Sequence, residues 1–265
     1  MALLVLATEA GCDVTAFHVD HGLREGSAEE AGLVAAAAAR FGAAFESRHA
    51  VVRPGPDLEA RARAARFSVL PKGVLTGHTA DDQAETVLLN LLRGAGADGL
   101  RGMRAANHPL LSVRRSETHA LCAAFDLEVV VDPSNRDPAL RRNRVRHELL
   151  PLLDAIAERD IVPVLTRQAR LLADESAVLD ELAGVLDPTD ARGLAEAPPV
   201  LARRAVRAWL RCTSDDERHP PDAATVERVL AVARGEAKAT DVGGGRSVSR
   251  TKGRLRVTVR LQEHG

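Results

Sequence analysis

The sequence predicts an α/β protein: a doubly wound parallel sheet followed by a helical domain. Three observations carry that expectation. In the first half, short β-rich runs alternate with helical segments of about 12–15 residues, the pattern of parallel strands with helices on both faces. Turn and capping signals, such as Ser27-Ala28-Glu29-Glu30 and Pro54-Gly55-Pro56-Asp57, fall between those runs. From about residue 139 the alternation stops and helical segments joined by Pro- and Asp-rich turns take over. Asp137-Pro138 marks the change, so a first domain is expected at 1–138 and a second at 139–265.

Residues 2–10 read as a helical stub, and 13–19 as the first strand. The Ser27 box, in which hydroxyl and carboxylate satisfy orphan helix donors, opens an alanine-rich helix reaching about Arg40. A strand at 44–51, a helix at 57–70 and a short buried strand at 73–78 follow. Next comes an amphipathic helix from about 80 to 93, with Val87, Leu88, Leu91 and Leu92 on one face. A helix near 115–125 and a strand near 127–131 close the alternating half. Beyond it, 139–157, 160–184 and 198–211 read as helices, and 240–262 as a terminal hairpin after Gly243-Gly244-Gly245. One feature of the doubly wound reading is unusual. The first strand of such a sheet normally lies centrally and its turn holds phosphate, yet here a helix precedes the first strand. No GxxxxGK[ST] phosphate loop occurs either.

Composition bounds the function. Over 265 residues, 45% apolar and 28% charged residues are an ordinary globular balance, which excludes a disordered or collagen-like chain. Only Lys72, Lys238 and Lys252 are lysines among 36 cationic residues, a bias that codon choice in a GC-rich genome accounts for. The net charge of -1 gives no global basic field, so any nucleic-acid surface must be local. Cys12, Cys122 and Cys212 form no CxxC pair, which leaves neither a disulfide framework nor a thiolate zinc site to read. The apolar start lacks a positive leader, and no run approaches the ~20 apolar residues of a membrane span. A soluble cytoplasmic protein with no membrane partner is expected.

Three clusters carry chemistry. His18-Val19-Asp20-His21-Gly22-Leu23-Arg24 sits at the carboxyl end of a strand, where open α/β sheets bind ligands. A loop holding a ligand through its backbone and Arg24 is favoured there over a His/Asp/His metal site or a solvated loop. Thr76-Gly77-His78-Thr79-Ala80-Asp81-Asp82-Gln83-Ala84-Glu85-Thr86 ends a strand and opens a helix. Acids in a first turn meet the macrodipole, and capping alone would be worth ~0.3–1 kcal/mol. Asp81 and Asp82 point about 100° apart, however, so one caps while the other is free for Mg²⁺ or an ammonium group, with Glu85 one turn on. The third cluster is Asp132-Pro133-Ser134-Asn135 with Arg136, Arg141, Arg142, Arg144, Arg146 and His147. Arg142 and Arg146 align on one helix face and Arg141 and Arg144 on a neighbouring one. Such forks suit phosphate oxygens, and the plain alternative is a solvated face paired with acids.

These segments, together with Leu92-Arg93-Gly94, Gly99-Leu100-Arg101-Gly102-Met103 and Arg141-Arg142-Asn143-Arg144-Val145-Arg146-His147-Glu148-Leu149-Leu150-Pro151, resemble the tRNA(Ile)-lysidine synthase family over roughly residues 3–155. The remaining C-terminal stretch agrees in helical character and length. The resemblance implies an N-type ATP pyrophosphatase with a PP-loop, of adenine nucleotide alpha hydrolase-like fold, followed by a helical tRNA-binding domain. It implies ATP activation of carbon 2 of the wobble cytidine in a CAU-anticodon tRNA(Ile), with release of pyrophosphate. Attack by the side-chain amine of free L-lysine then displaces AMP and gives lysidine. Asp81, Asp82 and Glu85 would be catalytic, gripping the lysine cation or, at Asp81 or Asp82, Mg²⁺. A carboxylate whose pKa a neighbour raised could also serve as general base. Asp20, Arg24, Gly77 and His78 would flank ATP, while Arg93, Arg141, Arg142, Arg144 and Arg146 would neutralise phosphates of ATP or tRNA. A homodimer is left open.

The chief departure is the family's SGGxDS loop, which should stand immediately before Ala2-Leu3-Leu4 and occurs nowhere in the sequence. Met1 then reads as an internal methionine, and the chain as written is expected to bind ATP poorly for want of that loop and strand. His119 is a lesser departure. Rival readings are another PP-loop tRNA-modifying enzyme, such as a thiolase, which the unpaired cysteines disfavour, and an ammonia-using amidotransferase, which would not need the arginine helix. A third is an inactive RNA-binding relic using Arg203, Arg204, Arg207 and Arg211 beside Trp209. Trp209 on a helix is read first as a core residue.

Overall fold

A computed structural model describes residues 1–20, 27–52, 55, 58–130, 137–213 and 221–259, with the backbone alone at 27–29 and 58–60. Its first half follows the expected alternation: α1 (Ala2–Glu9), β1 (Thr15–Asp20), α2 (Ser27–Arg40), β2 (Ala44–His49), α3 (Leu58–Val69), α4 (Ala80–Leu92), α5 (Ala97–Leu100) and α6 (Arg115–Ala124). Strands β1 and β2 pair in parallel, from Thr15 opposite Ala44 to Asp20 opposite His49, with α2 as the crossover. Leu4 of α1 and Ala37 and Ala38 of α2 form a small core against Ala16 and Phe45 of the two strands.

The expected strands at 73–78 and 127–131 are not strands among the described residues. A strand exists through its ladder, and among the described residues the stretch 73–78 shows only one long-range backbone bond, from Thr76 N–H to the Asn107 carbonyl (3.0 Å). That bond ties the approach to α4 to the loop after α5. The expected face of α4 also differs. Ala80, Ala84 and Leu88 pack into a core with Val145, Leu150 and Val162, and Val87 is buried too. Leu91 and Leu92 are 56% and 68% exposed, because the last turn of the helix runs on past its partners.

The arginine-rich segment folds as α7 (Arg141–Arg144), a π turn at Val145–Leu149 and α8 (Leu150–Ala157). Pro151 explains the wide turn: it has no N–H to give the preceding turn and its ring crowds that turn. The long α9 (Val162–Gly184) follows, and the division of the chain into two units, Met1–Leu172 and Ala173–Gly265, falls within it. The boundary expected at 138 lies inside the first unit.

In the second unit α10 (Ala191–Glu196), α11 (Pro199–Cys212) and α12 (Ala223–Arg234) pack on an antiparallel sheet of β3 (Ala239–Gly243), β4 (Arg246–Thr251) and β5 (Arg254–Val259). Its core holds Val206, Leu210, Val226, Val229, Val248 and Leu255, and Trp209 packs against it. The expected hairpin is β4–β5, with β3 as a third strand. Gly243, Gly244 and Gly245 all have positive φ (85°, 61° and 68°), which only glycine adopts without cost and which the tight β3–β4 turn requires. Neither α10 nor α12 was expected, although α12 has plain end signals. Asp222 accepts from Thr225 N–H (2.7 Å) at its start, and Gly235 ends it at φ 85°.

Candidate active site

The site is built where α4 begins. Thr79 precedes the helix in extended conformation, and Asp82 reaches back to accept from both its backbone N–H and its hydroxyl, each at 2.8 Å. The first N–H of α4, at Ala80, donates to the Val113 carbonyl (2.8 Å). That bond sets Arg114 and Arg115, the start of α6, beside Asp81. The Asp81 carboxylate accepts from the Arg114 guanidinium (3.0–3.3 Å) and from Arg115 N–H (2.7 Å). It thereby supplies the negative charge that the N-terminus of α6 favours. Arg114 also pairs with Asp160.

Glu85, one turn further, is fully buried at 0% exposure. Three guanidinium groups converge on it: Arg142 and Arg146 each donate from Nε at 2.7 Å, and Arg115 from a terminal nitrogen at 2.8 Å. Asp82 shares them, accepting from Arg115 at 2.9 Å and Arg142 at 3.2 Å and standing 3.7 Å from Arg146. Burial works to raise all three carboxyl groups. The donated hydrogen bonds and cationic neighbours outweigh it and hold Asp81, Asp82 and Glu85 below the ordinary carboxylate range. They are ionised, so the general base with a raised pKa that the sequence suggested does not stand among them.

The same geometry tests the Mg²⁺ expectation. Every oxygen of Asp81 and Asp82 already accepts from a guanidinium, a backbone N–H or a hydroxyl, and four arginines surround the acids. A dication there would have to displace those donors and face the arginines, so the residues do not fit Mg²⁺. No group of three His, Cys, Asp or Glu side chains among the described residues is placed to hold a metal.

His78 lies beside this network. Burial lowers its pKa to about 4, against a partial upward pull from Asp82, while His108, Arg63 and Arg142 lower it further. Gly77, just before it, is on the stretch that runs past Leu3 of α1. Asp20 is held elsewhere, at the end of β1, 4.0 Å from His49. Arg24, with His21 to Leu23, and Asp132 to Arg136 lie outside the described residues.

The other predicted cations gather at the far end of α4. Arg93, Arg141 and Arg144 line a cleft of about 460 Å³ floored by Leu89, Leu92 and Leu152. Arg144 bonds Glu148 (3.0 Å) at the surface. The four arginines of 141–146 are therefore sorted as the helical spacing implied, Arg142 and Arg146 inward and Arg141 and Arg144 outward.

Two features escaped the sequence reading. Arg114 and Arg115 are cations at a helix N-terminus, where the macrodipole opposes them, and that misfit was the signal that an acid elsewhere must hold them. Gly94, Gly96 and Gly99 have GxGxxG spacing but follow a helix, not a strand, so they are no dinucleotide fingerprint. The glycine that matters is Gly102, at φ 66°, where a Cβ would stand 2.6 Å from the Gln83 amide oxygen. Buried Gln83 accepts from Met103 N–H (2.8 Å) and donates to the Arg101 and Met103 carbonyls, which locks the Arg101–Met103 loop onto α4. In the second unit Arg203 pairs with Glu227, and Arg204 with Asp180. Cys12 and Cys212 are exposed and Cys122 is buried.

A parallel βαβ start, followed by an acid-opened helix ringed by arginines, defines a class. The PP-loop domain profile matches residues 1–153, and the TilS substrate binding domain matches residues 190–256. The fold is also similar to the U34-tRNA thiolase NcsA from Methanococcus maripaludis with its [4Fe-4S] cluster, at a TM-score of 0.51 and 16% identity over 65% of this chain and 69% of that one. This is a PP-loop protein, of a class that uses ATP.

Its relatives narrow the class. The chain is 45% identical to the tRNA(Ile)-lysidine synthase of Nocardia farcinica over 79% of its length and 71% of the relative's. It is 37% identical to that of Rhodococcus opacus over 97% and 86%, and 39% identical to that of Thermobifida fusca over 88% and 77%. The chain belongs to the tRNA(Ile)-lysidine synthase family of enzymes.

Proposed function

We propose that this protein joins L-lysine to carbon 2 of the wobble cytidine of a CAU-anticodon tRNA(Ile), through an adenylated intermediate formed from ATP. The observation that carries the reading is the convergence of Asp81, paired with Arg114, and of Asp82 and Glu85, paired with Arg115, Arg142 and Arg146, at the head of α4. Two segments of the family pattern, distant in sequence, meet there in one charge-balanced network. Ionised carboxylates attract the lysine side chain, whose ammonium exchanges with an arginine fork at Asp81 or Asp82. Those two keep 16% side-chain exposure, whereas Glu85 has none and anchors the arginines. Gly77, His78, Asp20 and Arg24 are assigned to the nucleotide in this reading, and Mg²⁺ enters only as the counter-ion of ATP. Arg93, Arg141 and Arg144 at the leucine-floored cleft contact tRNA phosphates, and the work is cytoplasmic, where tRNA, ATP and lysine meet.

The test supplies ATP, Mg²⁺, labelled lysine and CAU-anticodon tRNA(Ile) to this 265-residue chain and to the product of the next upstream in-frame start. ATP-dependent label in the tRNA is expected, lost in Asp82→Asn. Label in neither form, or full activity of Asp81→Asn and Asp82→Asn, overturns the assignment.

A further inference from the structure

Beside the carboxylate network, three side chains that its ion pairs do not use meet at a single atom. Thr76 Oγ1 stands 2.6 Å from His78 Nδ1 and 2.5 Å from His108 Nδ1. The two imidazole rings lie edge to face with centroids 4.8 Å apart. The backbone fixes the arrangement, because Thr76 N–H is bonded to the carbonyl of Asn107, the residue before His108.

Proton counting gives this triad a direction. Two hydrogen bonds among three heavy atoms need two protons, and the threonine hydroxyl supplies one. One imidazole therefore carries its proton on Nδ1 and the other offers a lone pair there. Reversing the chain moves one proton from one ring to the other, with no heavy atom displaced. His78 has Nδ1 committed to Thr76, so its acid–base face is Nε2.

We infer that Thr76, His78 and His108 form a proton-exit relay leading away from the carboxylate end of α4. The inference rests on the proposed lysine transfer, in which an ammonium must lose a proton before its nitrogen attacks. His78 Nε2 takes that proton while the His78 Nδ1 proton passes to Thr76 Oγ1. The hydroxyl proton of Thr76 passes to His108 Nδ1, and His108 releases its Nε2 proton to water. The lysine nitrogen then bonds to carbon 2 as the bond from carbon 2 to the AMP oxygen breaks, with that electron pair leaving on the AMP phosphate; the nitrogen gives up its second proton to water, and solvent exchange restores the relay between turnovers. His78 is the group that meets substrate; Thr76 and His108 are positioning residues that act through it.

The surroundings favour outward transfer. Asp82 on α4 attracts a proton to His78, whereas Arg142 on α7, Arg63 on α3 and His108 itself oppose it, and burial opposes it most. A charge on His78 is therefore short-lived. His108 is also kept neutral, by burial and by Arg63.

The test compares the wild type with Thr76→Val, which keeps the side-chain shape without the hydroxyl, and with Thr76→Ser, which keeps the hydroxyl. His108→Phe keeps the edge-to-face ring and removes the terminal acceptor, and serves should Thr76→Val fail to fold. Pyrophosphate release and lysine transfer are timed separately across pH, and ¹⁵N NMR reads the histidine tautomers in the protein alone. Lysine transfer in Thr76→Val and His108→Phe is expected to fall at least tenfold more than pyrophosphate release, with recovery in Thr76→Ser. The expected spectrum shows one Nδ1-protonated ring in the wild type, altered by Thr76→Val. Equal effects on both steps, or tautomers indifferent to the hydroxyl, overturn the relay. A wild type that transfers no lysine sinks the proposed function instead, and the spectrum still decides whether the proton chain exists.

Discussion

At the head of α4 the guanidinium groups of Arg115, Arg142 and Arg146 converge on a buried carboxylate, and at its tail Arg93, Arg141 and Arg144 border an open cleft floored by leucines. The same helix serves both ends, and the same short arginine-rich segment contributes to both sets. Arg141 and Arg142 are adjacent in sequence, yet about 100° of helical turn sends one to the rim and the other to Glu85. The difference teaches that arginine density alone does not identify a phosphate-binding surface. A guanidinium saturated by buried acids is part of the framework, and one at a partly apolar rim can still receive an anion.

The sharpest way to break the comparison is Glu85→Ala. Removing the buried acid takes away the partner shared by three guanidinium groups and leaves Asp82 alone against them, so a loss of ~3–5 kcal/mol is expected in urea unfolding. A loss near the surface-mutation range would mean that the two ends are alike. Next in size is Gly102→Ala, which puts a Cβ against the buried Gln83 amide at a positive φ; ~1–3 kcal/mol of destabilisation is expected from the same measurement. It sharpens the comparison by asking how firmly the head of α4 is held by the loop that packs on it.

A pH series separates the ends without mutation. His78 has a folded pKa of about 4, below its unfolded value near 6.5, so the unfolded chain takes up the proton first. Its contribution to stability is complete above pH 6.5 and falls as pH drops from about 6.5 towards 4. Asp81, Asp82 and Glu85 have depressed values, so their contribution stands above the ordinary carboxylate range and is lost as pH falls below it. Urea midpoints measured at successive pH values should therefore fall in two stages, and His78→Gln should flatten the first. The smallest stability effect is expected at the tail. Arg141→Ala and Arg144→Ala should stay within ~0.5 kcal/mol of the wild type. Both should weaken tRNA binding and reduce its salt slope by ~0.7–0.9 for each phosphate no longer neutralised. Unchanged affinity would remove the tRNA role from the cleft.

Much of the fold was legible because its signals are local. Thr79 ahead of Asp82 announced the start of α4, Pro54-Gly55-Pro56 punctuated the chain before α3, and the alternation at 254–259 announced a strand. Among the described residues, 73–78 and 127–130 are not the strands expected, because a run of apolar residues does not show whether a ladder partner is present. Helix α12 was missed although Asp222 and Gly235 bracket it, since its valines suit a strand as readily as a helix until packing decides. At the candidate site, the acids were found from their place at a helix start, but their state was not. The expectation of one free aspartate failed because Arg114 and Arg115 come from a helix 33 residues away in sequence.

The sequence by itself determined the family, the alternation of the first half, and which acids and arginines carry the pattern. Those follow from residue types at fixed short spacings, which act through local backbone preferences. Only the tertiary structure decided which arginine meets which acid, that Glu85 is buried with three of them, and that Thr76 joins His78 to His108. Such pairings depend on distances between segments far apart along the chain. Burial then sets their strength, because the same two charges attract weakly in water and strongly where water is excluded.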